Sequence, residues 1–348
     1  MIKNKDFIDM TNRTYYLDVI RVSAIILVIA LHCVSDISVG LKFYGKNSWF
    51  ASIAINGLCR AGVPLFLMIS GYLSLDNKDT EDIANYYKKR FSRIIPSLII
   101  WNIIYYLFFT IYKNESFSFQ TFFGRLINNG NAYHMWYVYT LLGIYLISPF
   151  LRMLVVRLRT NGLIVFFLVT IISSTIIPFI NIISPVYIYL FDPLVNGYIG
   201  FYILGYILGK CTISEKYEYL IYLAGIIGYA INLTGNIIFS SHSKINLVFN
   251  YGYALPTYLI ASALFVFCKY HMNNIGQTVF KKMITRISTI SFGIYWIHVA
   301  ILIITQKFFP NTLSPSSIII LRFTITLIIS ASVMTIVKKI PVINKLLM

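Results

Sequence analysis

A cation and an imidazole, Arg21 and His32, lie eleven residues apart within the first long apolar segment. An ionisable residue inside a membrane helix is costly, so by default it marks a functional site. Eleven helical steps of about 100° return almost to the starting direction, and the rise of about 1.5 Å per residue separates the two side chains by roughly 16 Å. The spacing therefore predicts an anion-binding group near one membrane surface and, on the same helix face, a histidine suited to acid–base or nucleophilic chemistry.

Asp36 follows His32 by four residues, so the two side chains are neighbours on one helical turn. A carboxylate in that position could orient the imidazole and raise its basicity. We therefore predict His32 and Asp36 as catalytic residues. The alternative is a histidine that hydrogen-bonds to a neighbouring helix for packing, with Asp36 at a solvated helix end.

Two further groups of residues are candidates for binding. Arg60 falls near mid-membrane in a segment interrupted by Pro64 and Gly71, as is tolerated where the backbone lines a cavity, and Tyr72 follows in the same segment. We predict Arg60 and Tyr72 as substrate-binding residues. The alternative is a kinked helix that only packs against its neighbours.

Arg90 and Arg93 precede the third apolar segment and share one helix face. Paired arginines can bind phosphates through bidentate hydrogen bonds. Any basic loop would look similar, so the spacing alone is a weak signal.

Aromatic and histidine side chains recur in the fourth and ninth apolar segments. His134 and Trp136 open the fourth segment, whereas Tyr295 and His298 lie near the middle of the ninth. They could line an acceptor-binding site, although aromatic residues also fill helix interfaces and Trp136 could be a membrane-interface residue.

Composition indicates a polytopic, all-α membrane protein. The 348 residues are 58% hydrophobic and 12% charged, with a mean hydropathy of +0.74. Runs of about 20 apolar residues are long enough to cross a bilayer, and we predict about ten of them within a single domain spanning residues 1–348. Their approximate ranges are 16–36, 49–75, 93–112, 135–154, 162–181, 193–210, 217–239, 250–270, 287–307 and 315–337.

The net charge of +17 is distributed as the positive-inside rule requires. If the N-terminus is cytoplasmic, most Lys and Arg residues fall in the segments assigned to the cytoplasm. The pattern predicts ten helices with both termini cytoplasmic, in contact with anionic lipid, and it argues against nucleic acid as the partner.

Several common site types are not indicated. Cys33, Cys59, Cys211 and Cys268 form no CxxC spacing, so neither disulfides nor a zinc site are expected. The sequence contains no GxSxG, HExxH or Walker-type pattern. We predict no metal.

Six stretches, taken in order, resemble the acyltransferase-3 family of integral membrane enzymes. They are LDVIR with His32 eleven residues after Arg21, RAGVPLFLMISGYL, RFSR at 90–93, HMWYVYTLLGIYLISPF at 134–150, GYILGK at 205–210 and SFGIYWIHV at 291–299.

The resemblance implies a cell-membrane enzyme that moves acyl groups, mostly acetyl from acetyl-CoA, onto surface glycans, lipid-linked sugars or other extracytoplasmic acceptors. It implies essential roles for Arg21, His32, Arg90 and Arg93. Some family members carry an additional esterase-like domain that completes the transfer. We expect none here, so the chain would acylate its acceptor directly or pass the group to a separate extracytoplasmic protein.

The expected mechanism places coenzyme phosphates at Arg21, Arg90 and Arg93 and the thioester near His32, which acts as general base or as nucleophile. The competing hypothesis is a transporter or flippase for a glycan or lipid-linked sugar, since buried ionisable residues also suit a translocation path.

Overall fold

The structure is a computed structural model that describes residues 14–76, 82–114, 116–128, 130–158, 160–183, 197–273, 279–308 and 314–347. These residues are 86% helical and contain no strand. Their α-helices are α1 (Tyr15–Val39), α2 (Asn47–Cys59), α3 (Gly62–Leu75), α4 (Ile83–Lys113), α5 (Phe119–Ile127), α6 (Trp136–Arg157), α7 (Thr160–Ile171), α8 (Ile177–Ile183), α9 (Tyr198–Lys210), α10 (Glu215–Ile238), α11 (Leu255–His271), α12 (Val279–Gln306), α13 (Pro315–Lys338) and α14 (Pro341–Leu347).

Eight helical segments of the described residues are long and apolar enough to cross a membrane, so the chain is a multi-pass membrane protein. They are Tyr15–Val39, Asn47–Leu75, Ile83–Lys113, Tyr133–Arg157, Gly162–Asn181, Glu215–Ile238, Val279–Gln306 and Pro315–Lys338. These confirm eight of the predicted segments. The segments predicted at 193–210 and 250–270 contain shorter helices of 13 and 17 residues, and residues 193–196 lie outside the described residues. The count of ten and the cytoplasmic termini stay predictions.

Polar contacts join the helix ends at two levels. Near the start of α1, the Tyr16 amide donates to the Asn273 side chain over 3.2 Å, and Lys210 pairs with Asp76 at 2.5 Å. Near the end of α1, the Tyr44 hydroxyl donates to the Ser240 carbonyl over 2.9 Å. We call the first level the proximal side of the bundle and the second the distal side.

Interruptions of the second segment were predicted at Pro64 and at Gly71. The chain breaks between α2 and α3, just before Pro64, whereas Gly71 lies inside α3, so the interruption predicted there is wrong. The break occurs at Arg60 and Ala61, one turn before Pro64. Proline lacks an amide hydrogen and its ring clashes with the carbonyl four residues earlier, which is that of Arg60. Pro64 therefore explains why α2 ends where it does.

Glycines allow α3 and α9 to pack backbone against backbone. A Cβ atom on Gly71 would overlap the carbonyl oxygen of Tyr202, and one on Gly205 would overlap that of Met68. Small residues at a membrane helix interface permit such close approach. This contact fixes α3, whose Phe66 and Ser70 face the site described next.

Candidate active site

A cavity of about 390 Å³ lies among α1, α3, α4, α6 and α12. Four of its lining residues are cationic, and we call it the basic cavity. Its full lining is Arg21, Phe66, Ser70, Tyr86, Lys89, Arg90, Arg93, Ile94, Tyr137, Leu141, Tyr145, Ser291 and Phe292. The three residues predicted to bind the coenzyme are thus brought together from two helices that are distant in sequence.

Arg21 is held at the cavity wall by a buried carboxylate. Its Nη1 donates to Asp18 Oδ1 over 3.1 Å, and Asp18 is 1% exposed while Arg21 is 28% exposed. The Ser288 hydroxyl of α12 donates to the same Asp18 oxygen over 2.7 Å. The carboxylate therefore offsets part of the cost of a guanidinium in the membrane and fixes its position.

Arg90 is held by a hydroxyl and by aromatic faces. Its Nη2 donates to Ser74 Oγ over 3.1 Å, and its guanidinium lies 5.7 Å from the ring centroid of Tyr86 and 5.2 Å from that of Tyr145. Such cation–π contacts restrict an otherwise mobile side chain. Arg93, one turn further along α4, is exposed.

Three imidazoles, His32, His134 and His298, form a histidine cluster on the distal side of the basic cavity. The ring centroid of His298 is 5.3 Å from that of His32 and 5.1 Å from that of His134. His134 is 2% exposed and His298 is fully buried, whereas His32 is half-buried and its ring also lies 5.1 Å from that of Tyr133. Two residues predicted to bind substrate are thus neighbours of the predicted catalytic histidine.

The hydrogen bonds of the cluster are incomplete. His298 Nδ1 lies 2.6 Å from the Tyr295 carbonyl oxygen, and the Tyr295 hydroxyl donates to the His134 carbonyl. Within the described part of the chain, His298 Nε2 and both ring nitrogens of His134 are buried without a hydrogen-bond partner. Buried polar atoms in that state are uncommon and carry a desolvation cost.

The four-residue spacing led us to expect that Asp36 pairs with His32. In the structure, Asp36 pairs with other residues instead. Its carboxylate accepts from Gln306 Nε2 over 3.1 Å and lies 3.5 Å from Arg322 Nη2. Asp36 is 63% exposed, while Arg322 is 7% exposed. The carboxylate therefore neutralises a buried guanidinium, because that charge has the greater need of a partner.

An aromatic layer formed by Tyr137, Phe292 and Tyr295 lies between the basic cavity and the histidine cluster. Tyr137 and Phe292 line the cavity, and their ring centroids lie 5.4 Å and 6.2 Å from that of Tyr295. Tyr295 in turn lies 5.3 Å from His134 and 5.9 Å from His298. His32 is not among the residues that line the basic cavity.

The other predicted substrate-binding residues lie away from the basic cavity. Arg60 Nε donates to Asn56 Oδ1 over 3.0 Å, and the Tyr72 ring packs at Gly209 of α9. Trp136 lies 5.1 Å from the ring of Tyr198. None of these three lines the cavity.

Sequence reasoning missed Lys89, Tyr137 and Phe292 as residues of the site. Lys89 stands directly before Arg90, so the basic run itself was the available signal. The two aromatic residues carry no such signal, because the chain holds 26 phenylalanines and 27 tyrosines. In the described ranges, no group of three or more His, Cys, Asp or Glu side chains is placed to hold a metal.

The sequence matches the model of a known protein family. A family model described as an acyltransferase domain, that of the acyltransferase-3 family, matches residues 14–337. No curated protein matches the chain, and no solved structure does.

Proposed function

Because the chain belongs to the acyltransferase-3 family, we propose that it transfers acetyl from acetyl-CoA onto a hydroxyl of an extracytoplasmic glycan or related acceptor. The observation that carries this proposal is the clustering of Arg21, Lys89, Arg90 and Arg93 around one cavity. A cavity lined by several cations attracts anionic ligands and raises their local concentration. Coenzyme A carries its charge as phosphates, which arginine binds through strong charge-assisted hydrogen bonds.

The donor would enter from the cytoplasm at the proximal side of the bundle. A volume of about 390 Å³ lies in the range of small-molecule sites, enough for part of the coenzyme. Arg21 and Arg90 are fixed by Asp18 and by Ser74 with two tyrosines. Their guanidinium groups therefore need little reorganisation when phosphate binds.

His32 would perform the transfer about 16 Å further along α1. Acting as general base, it would take the proton of the acceptor hydroxyl; acting as nucleophile, it would carry the acetyl group between donor and acceptor. The thioester arm must pass the aromatic layer to reach it. Since His32 is half-buried beside the exposed Tyr133, an acceptor would approach from the distal side.

The test measures acetyl transfer from radiolabelled acetyl-CoA to surface polysaccharide in membranes with and without this chain. Arg93→Gln removes a cavity cation, and Lys88→Gln removes an exposed charge of the same helix that does not line the cavity. A charged hydrogen bond to phosphate contributes about 1.5–3 kcal/mol, so Arg93→Gln should raise the KM for acetyl-CoA by about 10- to 100-fold. Lys88→Gln should leave it unchanged.

Two results would contradict the proposal. Equal KM changes in the two variants would show that the cavity does not bind the donor. Membranes that bind no acetyl-CoA and transfer no acetyl, yet still export glycan only when this chain is present, would instead support a transporter.

A further inference from the structure

His32 lacks the carboxylate partner that its spacing to Asp36 suggested, because Asp36 is engaged by Gln306 and Arg322. An imidazole that acts as a base or nucleophile must present a lone pair on a defined ring nitrogen. A hydrogen bond to the other nitrogen selects that tautomer. The neighbouring ring of His298 is the candidate for this hydrogen bond.

The protonation of His298 follows from its own partner. A carbonyl oxygen can only accept a hydrogen bond. Because His298 Nδ1 lies 2.6 Å from the Tyr295 carbonyl, Nδ1 carries the hydrogen. In neutral His298, Nε2 is then a lone-pair acceptor, and it is the buried atom that has no partner among the described residues.

The ring geometry brings this acceptor within reach of His32. The ring centroid of His32 lies 5.3 Å from that of His298, so a rotation of the half-buried His32 side chain would bring its N–H to hydrogen-bond distance of His298 Nε2. The planes of the His32 and His298 rings are inclined by 30°. His134 is the other neighbour of His298, but those rings cross at 76°.

We propose that His298 is the positioning residue of His32: its Nε2 accepts the His32 N–H and so leaves the lone pair of His32 on the other ring nitrogen. This inference rests on the proposed acetyl transfer and assigns His298 a role other than substrate binding. It gives His298 the part that an aspartate plays beside the histidine of a Ser-His-Asp triad.

The proton balance follows from this arrangement when His32 is the general base. The free lone pair of His32 takes the proton of the acceptor hydroxyl while the acceptor oxygen bonds to the acetyl carbon. The carbon–sulfur bond breaks, and the leaving thiolate of coenzyme A takes the proton from His32. His298 keeps its own hydrogen on Nδ1 throughout, and the His32 N–H stays bonded to its Nε2.

The experiment compares purified His298→Leu, His298→Gln and His298→Asn with wild type, using release of coenzyme A thiol from acetyl-CoA in the presence of surface polysaccharide as the readout. A glutamine side chain can place an amide oxygen near the position of Nε2, whereas leucine cannot accept and asparagine is too short. We expect kcat to fall by about 10- to 100-fold in the leucine and asparagine variants, as when the orienting partner of a functional histidine is removed. Glutamine should restore most of kcat, and the KM for acetyl-CoA should stay within about twofold of wild type, since the basic cavity is untouched.

The matched control is His242→Leu, which alters an exposed histidine beside Tyr44, away from the cluster. It should behave as wild type. If the leucine variant does not purify as a monodisperse protein, the glutamine and asparagine variants decide the question. Equal kcat in those two variants, or wild-type kcat in the leucine variant, would overturn the assignment of His298. If the wild-type protein releases no coenzyme A, that result would instead contradict the proposed function itself.

Discussion

The basic cavity surrounds an open volume with four cations, whereas the histidine cluster is packed by aromatic rings and holds ring nitrogens without partners among the described residues. Both regions are built on α1 and α12. In the cavity, Arg21 and Arg90 have their hydrogen bonds to Asp18 and Ser74 in place. In the cluster, by contrast, His298 Nε2 has no hydrogen-bond donor among the described residues.

This difference separates the two tasks of an acyltransferase. Charge needs water or a counterion, so phosphate binding suits a wide cavity with paired cations. In a low-dielectric site, a single hydrogen bond can decide the tautomer of a neutral imidazole. The aromatic layer keeps the two environments apart. Changes in the cavity should therefore alter donor binding, whereas changes in the cluster should alter the rate of transfer.

The largest effect is expected from His32→Ala. Loss of a general base typically lowers the rate by about 10²- to 10⁴-fold, so acetyl transfer should fall below detection in most assays. Binding of radiolabelled acetyl-CoA to the purified variant should stay at the wild-type level, because Arg21 lies roughly 16 Å away along α1 and His32 does not line the basic cavity. A variant with normal transfer, or one that loses donor binding in parallel, would contradict the separation of the two regions.

Arg21→Gln should affect donor binding in the basic cavity rather than the chemistry of the histidine cluster. Loss of a charge-assisted bond to phosphate of about 1.5–3 kcal/mol predicts a KM for acetyl-CoA about 10- to 100-fold higher, with little change in kcat. Buried Asp18 would lose its cation, so the unfolding temperature should also fall. Arg21→Lys keeps the charge without the planar guanidinium and should lie between wild type and glutamine. A change confined to kcat would speak against donor binding by Arg21.

Much of the fold could be predicted from the sequence, because membrane helices are defined by local hydropathy. The segment predicted at 162–181 is confirmed by Gly162–Asn181. The apolar span predicted at 93–112 begins ten residues after the start of α4 at Ile83, because the first turns of α4 are a polar run that hydropathy does not detect. The Asp82 side chain accepts from the Asn85 amide and caps that helix.

The candidate site could be predicted only where its residues share one helix. Arg90 and Arg93 were paired by spacing along α4, and both line the cavity. The spacing of His32 and Asp36 suggested contact, but α13 supplies Arg322, a stronger partner for the carboxylate. The neighbours Tyr137 and His298 come from other helices, and such contacts leave no pattern in a single sequence.

Tyr295→Phe should weaken the aromatic layer without removing a cation of the basic cavity or an imidazole of the histidine cluster. The change removes the hydroxyl that donates to the buried His134 carbonyl, a loss of about 0.5–1.5 kcal/mol. Release of coenzyme A thiol without acceptor should rise by about 2- to 10-fold, because that free energy no longer holds the layer closed. Tyr44→Phe removes a similar bond, to the Ser240 carbonyl, in a distal loop. Equal thiol release in both variants would show that the layer does not control access to His32.

Ionic strength should affect the basic cavity but not the histidine cluster, without any mutation. This is the smallest of the expected effects. The Debye length falls from about 10 Å at 0.1 M salt to about 3 Å at 1 M, so attraction between the cavity cations and coenzyme phosphates is weakened. We expect the KM for acetyl-CoA to rise by about 2- to 5-fold between these salt concentrations, an effect of order 1 kcal/mol. The kcat at saturating donor should stay constant, because the hydrogen bond proposed between His32 and His298 joins two neutral groups. Sucrose at matched osmolarity controls for osmotic effects, and a salt-dependent kcat with constant KM would reverse the assignment of the two regions.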